Sequence, residues 1–227
     1  MRNMRKITTF VVVLLALVVV APAASADTIS NSAAFGPTGV AFSGLTRDLQ
    51  KFDPTLGTLE KVTLTLSASA YAGSIAWDNE ASITSDVDLG IGAELTAASM
   101  ANLVLVVIPM QEGSANVDAD NDGTADFLGT DAFAVTGGSG SDSDFDETIL
   151  PADLLAFTGP GTFQVEISSQ VNTYLSTNGG YGPIDPIPGM TDGSVMVTYE
   201  YNVPEPTTMV LLAVGGMGVL ARRRRKA

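Results

Sequence analysis

The sequence predicts an all-β fold, a single β-sandwich of jelly-roll type between an N-terminal signal helix and a C-terminal hydrophobic helix. Apolar and polar residues alternate with period two in several short segments. Clusters of Gly, Pro and Asp separate these segments, and heptad patterns are missing between them. Residues 27–202 are enough chain for one substantial core, so we expect one folded domain between two sorting segments.

Residues 1–26 have the three regions of a secretory signal peptide. Met1–Lys6 is basic, Ile7–Val20 is apolar apart from two threonines, and Ala24 and Ala26 supply the small residues of a cleavage site. We therefore expect the mature chain to begin at Asp27. An uncleaved membrane anchor is the alternative.

Alternation identifies the clearest strands of the folded domain. One face of each predicted strand is apolar and the other is polar, which is typical of a half-buried strand. The apolar positions are Val62, Leu64 and Leu66, then Phe163, Val165 and Ile167, then Val195, Val197, Tyr199 and Tyr201.

Three other segments predict strands with less regular patterns. Asn102–Ile108 is more uniformly apolar, which favours a central strand buried on both faces and ended by Pro109. Ser74–Trp77 and Ser82–Ile91 are weaker candidates.

Two short segments predict a corner and a helical turn. In Phe52–Leu59, Pro54 fixes φ and Gly57 permits a tight turn, so we expect Phe52, Leu56 and Leu59 to pack underneath. Pro151–Leu155 has a proline suited to a first helical turn.

The charge of the folded part excludes some functions. Formal net charge is −14 overall, but between residues 27 and 221 only 3 basic residues stand against 25 acidic ones, a formal charge of −22. Nucleic-acid binding requires Lys and Arg, so it is disfavoured. The chain has no Cys and no His, which excludes disulfides, zinc–histidine sites and a histidine general base.

An acidic segment with calcium-loop spacing is the sharpest candidate site. Carboxylates recur at relative positions 1, 3, 5 and 9, and Gly123 occupies position 6, as in the first half of a calcium loop. Position 12 is Gly129 rather than Glu, so Asp131 or a group from elsewhere would complete the site. A solvated acidic turn is the alternative. The candidate ligands of calcium, the one cofactor expected, are Asp118, Asp120, Asp122, Thr124 and Asp126.

A second acidic run, Ser141–Glu147, lacks the turning glycine, and we expect a solvated loop there. Asp78 and Glu80 beside Trp77 are the nearest approach to a glycosidase pair, but nothing distinguishes them from ordinary strand-end acids. Aromatic residues that could stack on sugars are better explained by packing; they are Trp77, Tyr71, Tyr174 and Tyr181. We therefore expect a protein that is not an enzyme.

The last 25 residues form a separate segment. Val203, Pro204, Glu205 and Pro206 precede an apolar stretch at 207–221, about 22 Å long as a helix and shorter than the hydrocarbon core of a membrane. The basic cluster that follows would stay on the cytoplasmic side; it comprises Arg222, Arg223, Arg224, Arg225 and Lys226. A permanent one-helix anchor is the alternative to a processed signal.

This arrangement resembles the PEP-CTERM sorting signal of exported bacterial proteins. The resemblance implies that Pro204, Glu205 and Pro206 are recognition residues, 207–221 a transient membrane span, and the Arg cluster a stop. It also implies a partner, an exosortase-type membrane protease that cuts near the motif. The secretion translocon is the partner expected for the signal peptide at residues 1–26.

The folded part is similar to choice-of-anchor E domains, over roughly Phe35–Tyr201. The similarity rests on Gln50–Leu59, Asp153–Phe163 and Val195–Tyr201. It implies an exported location and no particular chemistry. Together, the signals predict a structural or adhesive protein of the cell surface or extracellular polysaccharide. A carbohydrate-binding module is the first alternative and a secreted polysaccharide hydrolase the second.

Overall fold

The computed structural model describes residues 26–120 and 123–203, and these ranges are almost entirely β-structure. The predicted all-β class is confirmed. The predicted signal helix and C-terminal helix lie outside the described residues. The strands are β1 (Ala26–Gly39), β2 (Phe42–Gln50), β3 (Thr58–Tyr71), β4 (Ser74–Asp78), β5 (Ser85–Ala98), β6 (Val104–Val107), β7 (Met110–Val117), β8 (Ala132–Thr136), β9 (Ser139–Thr148), β10 (Thr162–Thr177), β11 (Ile184–Ile187) and β12 (Met190–Asn202), with a 3-10 turn at Met100–Asn102 and one helix, α1 (Pro151–Ala156).

The strands form three sheets. The first sheet has the order β1-β12-β3-β9 and the second β2-β10-β5-β6, with β7 also paired to β5. The third is β11-β4-β8. Contacts group the described residues into a large unit, Thr28–Pro54 with Leu59–Glu200, and a small unit containing residues 26–27, 55–58 and 201–203.

The alternating segments of the sequence supply the core of the large unit. Leu64 and Leu66 of β3, Val165 and Ile167 of β10 and Val197 of β12 are fully buried. Each contributes about 1.5–3 kcal/mol to stability by leaving water. The predicted strands around these residues are confirmed.

The central strand is not the predicted one. Residues 104–107 form β6, which pairs with β5 along one edge, and Val104 and Val106 are 54% and 43% exposed. The buried central strand is β5, which lies between β10 on one side and β6 and β7 on the other. Its glycines allow this, because a Cβ at Gly92 would lie 2.0 Å from the Pro109 carbonyl oxygen. The hydrophobicity pattern of the sequence does not predict this close approach of the backbone at Pro109 to Gly92.

The predicted corner at Phe52 is a packing centre. Phe52 is buried; its amide donates to the Phe157 carbonyl and its carbonyl accepts from the Gly159 amide. Its ring lies 5.7 Å from that of Tyr199, whose hydroxyl donates to the Gln50 carbonyl at 2.7 Å. Burial raises the pKa of the Tyr199 hydroxyl. The predicted helical turn is α1, with its proline in the first turn.

The small unit explains the glycine that follows this corner. Gly57 has φ of +159°, and a Cβ there would lie 2.1 Å from the Asn202 carbonyl oxygen. Glycine is therefore required. The Tyr201 hydroxyl lies 3.4 Å from an Asp27 carboxylate oxygen. Leu56 is 38% exposed, so the expectation that it packs underneath was wrong.

Candidate functional sites

The predicted sorting residues are mostly outside the described ranges. Val203 is the last described residue of the chain, and the cleavage-site residues Ala26 and Asp27 begin β1, where both are exposed. Ala24, Pro204, Glu205, Pro206 and the Arg222–Arg225 cluster lie outside. Among residues 26–120 and 123–203, no helix is long and apolar enough to cross a membrane.

The predicted calcium loop connects β7 to β8 and is fastened at its base by a buried asparagine. Asn79 is fully buried, and its side-chain amide donates to the carbonyls of Asp118 and Ile83 at 2.7 and 2.8 Å. Its own backbone amide donates to the Asp131 carbonyl. The Asp120 amide donates to the Ala81 carbonyl at 2.8 Å. These bonds hold both ends of the loop against the segment after β4.

A buried aspartate holds the middle of the same loop. Asp78 is 2% exposed, and its carboxylate accepts a hydrogen bond from the Phe127 amide at 2.6 Å. The neighbouring Trp77 is fully buried in the core with Ile75 and Leu89. Both side chains thus have structural contacts, as the sequence suggested for Trp77.

The loop's own carboxylates contact loop amides. Asp120 Oδ1 accepts from the Gly123 amide at 2.7 Å, and Gly123 has φ of +71°, which glycine tolerates. Asp126 Oδ1 accepts from the Leu128 amide at 2.8 Å. Such short-range bonds are typical of Asx turns.

The described part of this loop does not gather a metal cage. Asp118, Thr124 and Asp126 are exposed, and Asp122 lies outside the described residues. Within those residues, no three acidic side chains come close enough to hold a metal ion. Calcium binding by Asp118, Asp120, Asp122, Thr124 and Asp126 stays a prediction.

The second acidic run is not a loop, and that expectation was wrong. Residues 141–147 lie within β9, which pairs antiparallel with β3. Asp144 lies opposite Leu66 and Asp146 opposite Leu64, so the aspartates share the side of the sheet occupied by buried leucines. The pattern of polar and apolar residues does not predict this strand. Charged residues are normally expected on the solvent side of a sheet, whereas these aspartates lie on the side of the buried leucines.

The aspartates of β9 form a regular ladder on the edge of the second sheet. Their Oδ2 atoms accept hydrogen bonds from two amides of β6 and from the amide of Ile108, which directly follows β6. Their Oδ1 atoms accept from the amide of the residue that follows each aspartate. We call Asp142, Asp144 and Asp146 the aspartate ladder. The cross-sheet bonds join Val104 to Asp146 at 3.3 Å, Val106 to Asp144 at 3.1 Å, and Ile108 to Asp142 at 2.8 Å.

The other side of the β3–β9 pair carries hydroxyl groups. Ser67 lies opposite Ser143 and Ser69 opposite Ser141, and with Ser194 of β12 they line a shallow groove of about 470 Å³. We call these five serines, together with Thr63 and Thr65 of β3, the hydroxyl face. Phe145 lies opposite Thr65 on this face and is 65% exposed.

An ion-pair network marks one end of this face. Lys61 contacts Glu200 at 2.5 Å and Glu147 at 3.4 Å, which ties β3 to its neighbours β12 and β9. The hydrogen bond to Glu200 is the main reason why the pKa of Lys61 is raised.

Comparison with protein families accounts for the tail. Residues 202–226 match the model of the PEP-CTERM protein-sorting motif. The match includes Val203, Pro204, Glu205, Pro206 and the Arg222–Arg225 cluster. It supports an exported protein that is anchored transiently at its C-terminus and processed by an exosortase, a membrane protease.

Other comparisons add little about the folded domain. A search of curated proteins finds no match. Among solved structures, a protein of infectious bursal disease virus strain Gx is 12% identical with a TM-score of 0.24 over 82% of this chain, which spans 38% of the viral protein. The globular domain of zebrafish complement 1qA is 12% identical with a TM-score of 0.23, over 76% of this chain and 96% of that one. FLHE is 10% identical with a TM-score of 0.22, over 79% and 99%. The similarity to choice-of-anchor E domains stays a prediction.

Proposed function

We propose that the mature protein is a non-enzymatic structural or adhesive component of the cell surface or extracellular polysaccharide. The observation that carries this proposal is the PEP-CTERM match at residues 202–226, directly after the last strand of an all-β domain. A protein sorted in this way acts outside the cytoplasm, and a compact β-domain suits a load-bearing or contact role there.

Two features of the domain support a contact role. The hydroxyl face offers donors and acceptors at four alternate positions of β3, with serines of β9 and β12 beside them, which suits contact with hydroxyl-rich polysaccharide. Of the two acids nearest to a catalytic pair, Asp78 has a structural contact, since its buried carboxylate accepts a hydrogen bond from the Phe127 amide.

The sorting proposal is tested in the producing bacterium. The variant P204A/E205A/P206A removes the expected recognition residues, and T207A/T208A is a matched control in the adjacent positions. We expect the wild type and the control to reach the surface or polysaccharide fraction in shortened form, and the motif variant to accumulate unprocessed in the membrane. Equal distribution of all three proteins would contradict the proposal.

Calcium is the proposed stabiliser of this exterior form. Support comes from the alternating carboxylates of the β7–β8 loop and from Gly123, whose positive φ allows the chain to turn as a calcium loop does. Binding would require Asp120 and Asp126 to exchange their loop-amide contacts for the ion. Thermal melting with calcium and with chelator tests this, as developed in the Discussion.

A carbohydrate-binding module is the second candidate, and Phe145 favours it. An aromatic ring that is 65% exposed beside a hydroxyl-lined groove could stack on a sugar ring. We expect F145A to lose most of its binding to polysaccharide extracted from the producing strain, in a co-sedimentation assay. Y181A removes a ring of similar exposure, 67%, from outside the hydroxyl face and should bind normally. Unchanged binding by F145A would exclude this candidate.

A further inference from the structure

A cleft opens between the end strands of the first two sheets. The cleft lies between β1, at the end of the first sheet, and β2, at the end of the second. Its volume is about 410 Å³, and it is lined by residues 36–38 of β1, residues 42–45 of β2 and Arg47. The half-buried Phe42 ring lies 6.4 Å from the Phe35 ring of the core. The cleft therefore combines an apolar wall with a cationic side chain.

Backbone carbonyls of both strands hold Arg47 in place. Its Nε donates to the Ala34 carbonyl of β1 at 2.7 Å, and its Nη1 donates to the Thr46 carbonyl of β2 at 2.8 Å. A guanidinium has five N–H donors in one rigid plane, so two are used here and three remain. The remaining donors belong to Nη1 and Nη2, which together can bind two oxygens of one anion side by side. The side chain is thus oriented without any ligand.

Within the described residues, no carboxylate neutralises this cation. Between residues 27 and 221 the basic residues are Arg47, Lys51 and Lys61. Lys61 pairs with Glu147 and Glu200, whereas no acidic side chain of residues 26–120 and 123–203 lies at ion-pair distance from Arg47. In so acidic a domain, an oriented guanidinium without a carboxylate partner in a cleft is suited to an anion from outside.

A second polar group lies behind the apolar wall. Ser169 of β10 lies directly opposite Phe42 and is 8% exposed. Its hydroxyl forms no hydrogen bond within the part of the chain that the structure describes. The neighbouring Ser168 hydroxyl accepts from the Gly44 amide at 3.3 Å, where the pairing of β10 with β2 shifts register. Buried hydroxyls normally have a partner, so the region behind Phe42 retains an unused donor and acceptor.

We propose that this cleft binds the carboxylate of an acidic sugar residue, a uronic acid, with Arg47 as the anion-binding residue. The proposal rests on the proposed function, contact with extracellular polysaccharide, and adds the sugar class and its site. The paired donors of Arg47 match the two oxygens of a carboxylate, and Phe42 offers an apolar wall to the sugar ring. One guanidinium suits a carboxylate better than a phosphate monoester, which carries a charge of about −1.5 to −2.

The acidic surface of the domain does not prevent this binding. At physiological salt, exposed charges more than about 8 Å apart are largely screened, so the guanidinium dominates inside the cleft. Asp192 packs against Gly36 of the lining, but its carboxylate forms a hydrogen bond with the Tyr71 hydroxyl.

A matched pair of probes tests the ligand class. One probe is a trimer of galacturonic acid, and the other is a trimer of galactose, which has CH2OH in place of each carboxylate. In calorimetry with the exported, processed protein and a chelator, we expect the galactose trimer to bind at least roughly tenfold more weakly. An equal concentration of inorganic phosphate should not displace the acidic trimer. Displacement by phosphate, or equal behaviour of the two trimers including no binding by either, would overturn the proposal.

Substitutions of basic residues test the role of Arg47. R47M removes the cation, whereas R47K keeps the charge and loses the planar pair of donors. We expect the affinity for the acidic trimer to fall by roughly a hundredfold and roughly tenfold, respectively. K51M removes an equal charge from outside the lining and should change the affinity by less than about twofold. Equal weakening by K51M and R47M would mean that general charge holds the trimer, which contradicts the proposal.

A variant that keeps Arg47 separates binding from folding, because the bonds of Arg47 also join β1 to β2. Ser43 is exposed in the lining, so S43W fills the cleft and leaves those bonds intact. We expect S43W to melt as the wild type does and to lose binding. In the wild type, the acidic trimer should shift the NMR signals of the amides of residues 42–47. Normal binding by S43W, or shifts confined to the hydroxyl face, would place the ligand elsewhere and overturn the proposal.

Polysaccharide from the producing strain distinguishes a failure of this inference from a failure of the proposed function. If the wild type and R47M co-sediment with it equally, the contact role stands and the cleft is not the site. If neither co-sediments although the wild type binds the acidic trimer through Arg47, the ligand class of the cleft stands and the proposed polysaccharide role is contradicted.

Discussion

The two acidic segments of the chain have the same alternating aspartates and opposite structural roles. Asp118 and Asp120 follow β7 and enter a turn in which Asp120 Oδ1 accepts a hydrogen bond from the Gly123 amide. Asp142, Asp144 and Asp146 lie on β9 and bind the amides of another sheet. The difference lies in which backbone N–H groups the carboxylates of each segment can reach.

Local residues decide which donors are reached. Gly123, with φ of +71°, turns the first segment back on itself, so its carboxylates meet amides of their own loop. The second segment continues as a strand because serines and Phe145 alternate with its aspartates and pair with β3. An Asp-x-Asp pattern can therefore belong either to a turn or to a strand whose carboxylates bind amides of another sheet. The residues around the pattern decide between the two.

The largest expected effect is on the free energy of unfolding, which should fall much more for a variant at the base of the β7–β8 loop than for one at its exposed rim. N79A removes a fully buried amide that binds the Asp118 and Ile83 carbonyls, so we expect about 3 kcal/mol of destabilisation in urea unfolding. D126A, at the exposed rim, should cost less than about 1 kcal/mol. Equal costs would mean that the loop is not fastened at its base.

Calcium should distinguish the two acidic segments. If the loop binds the ion, saturating calcium raises the free energy of unfolding by about 2.7 kcal/mol at a hundredfold excess over Kd. Thermal melting with calcium and then chelator should show a shift that D120A/D122A abolishes and D142A/D144A retains. A shift lost in the ladder variant instead would reverse the assignment, and no shift in the wild type would leave the loop a solvated turn.

The ladder itself should contribute a smaller amount of stability. D144A removes an acceptor for the Val106 and Phe145 amides, so we expect about 1–2 kcal/mol of destabilisation. S143A changes the neighbouring residue on the outer side of β9 and should change stability by less than about 0.5 kcal/mol. Urea unfolding of the two variants gives the comparison, and a cost for S143A as large as that for D144A would contradict it.

The smallest effect concerns the ion pairs of Lys61 at the end of the hydroxyl face. The pKa of Lys61 is raised, chiefly by its hydrogen bond to Glu200, so its contribution to stability is complete below its ordinary pKa and is lost as pH rises through the raised value. K61M should therefore melt slightly below the wild type at pH 7, and the difference should shrink as the pH rises through the raised pKa of Lys61. A difference that grows with alkaline pH would contradict this sign.

The sequence predicted those parts of the fold that depend on local pattern. Alternation located the buried faces of β3, β10 and β12, and Pro151 located α1. The corner at Phe52 followed from its proline and glycine. These features need only the preferences of neighbouring residues.

The missed parts depend on contacts between distant segments. Nothing local shows that Asp144 contacts Val106, 38 residues away, so the sequence favours a loop at Ser141–Glu147. The central position of β5 depends on Gly92, which admits the backbone at Pro109, and apolar content alone favoured β6 instead. Alternating Asp and Ser directly after Gly140 was the signal that could have suggested an edge strand with charges on its inner side. For the candidate sites, the sorting motif was predictable because a linear segment carries it.

The intact mass of the protein recovered outside the producing cell tests the proposed sorting most directly. We expect a chain that begins at Asp27 and has lost the Arg222–Lys226 cluster through a cut near Pro204–Pro206. A mass equal to that of residues 1–227 or 27–227 would show that the C-terminal signal is not removed, and would contradict the proposed sorting.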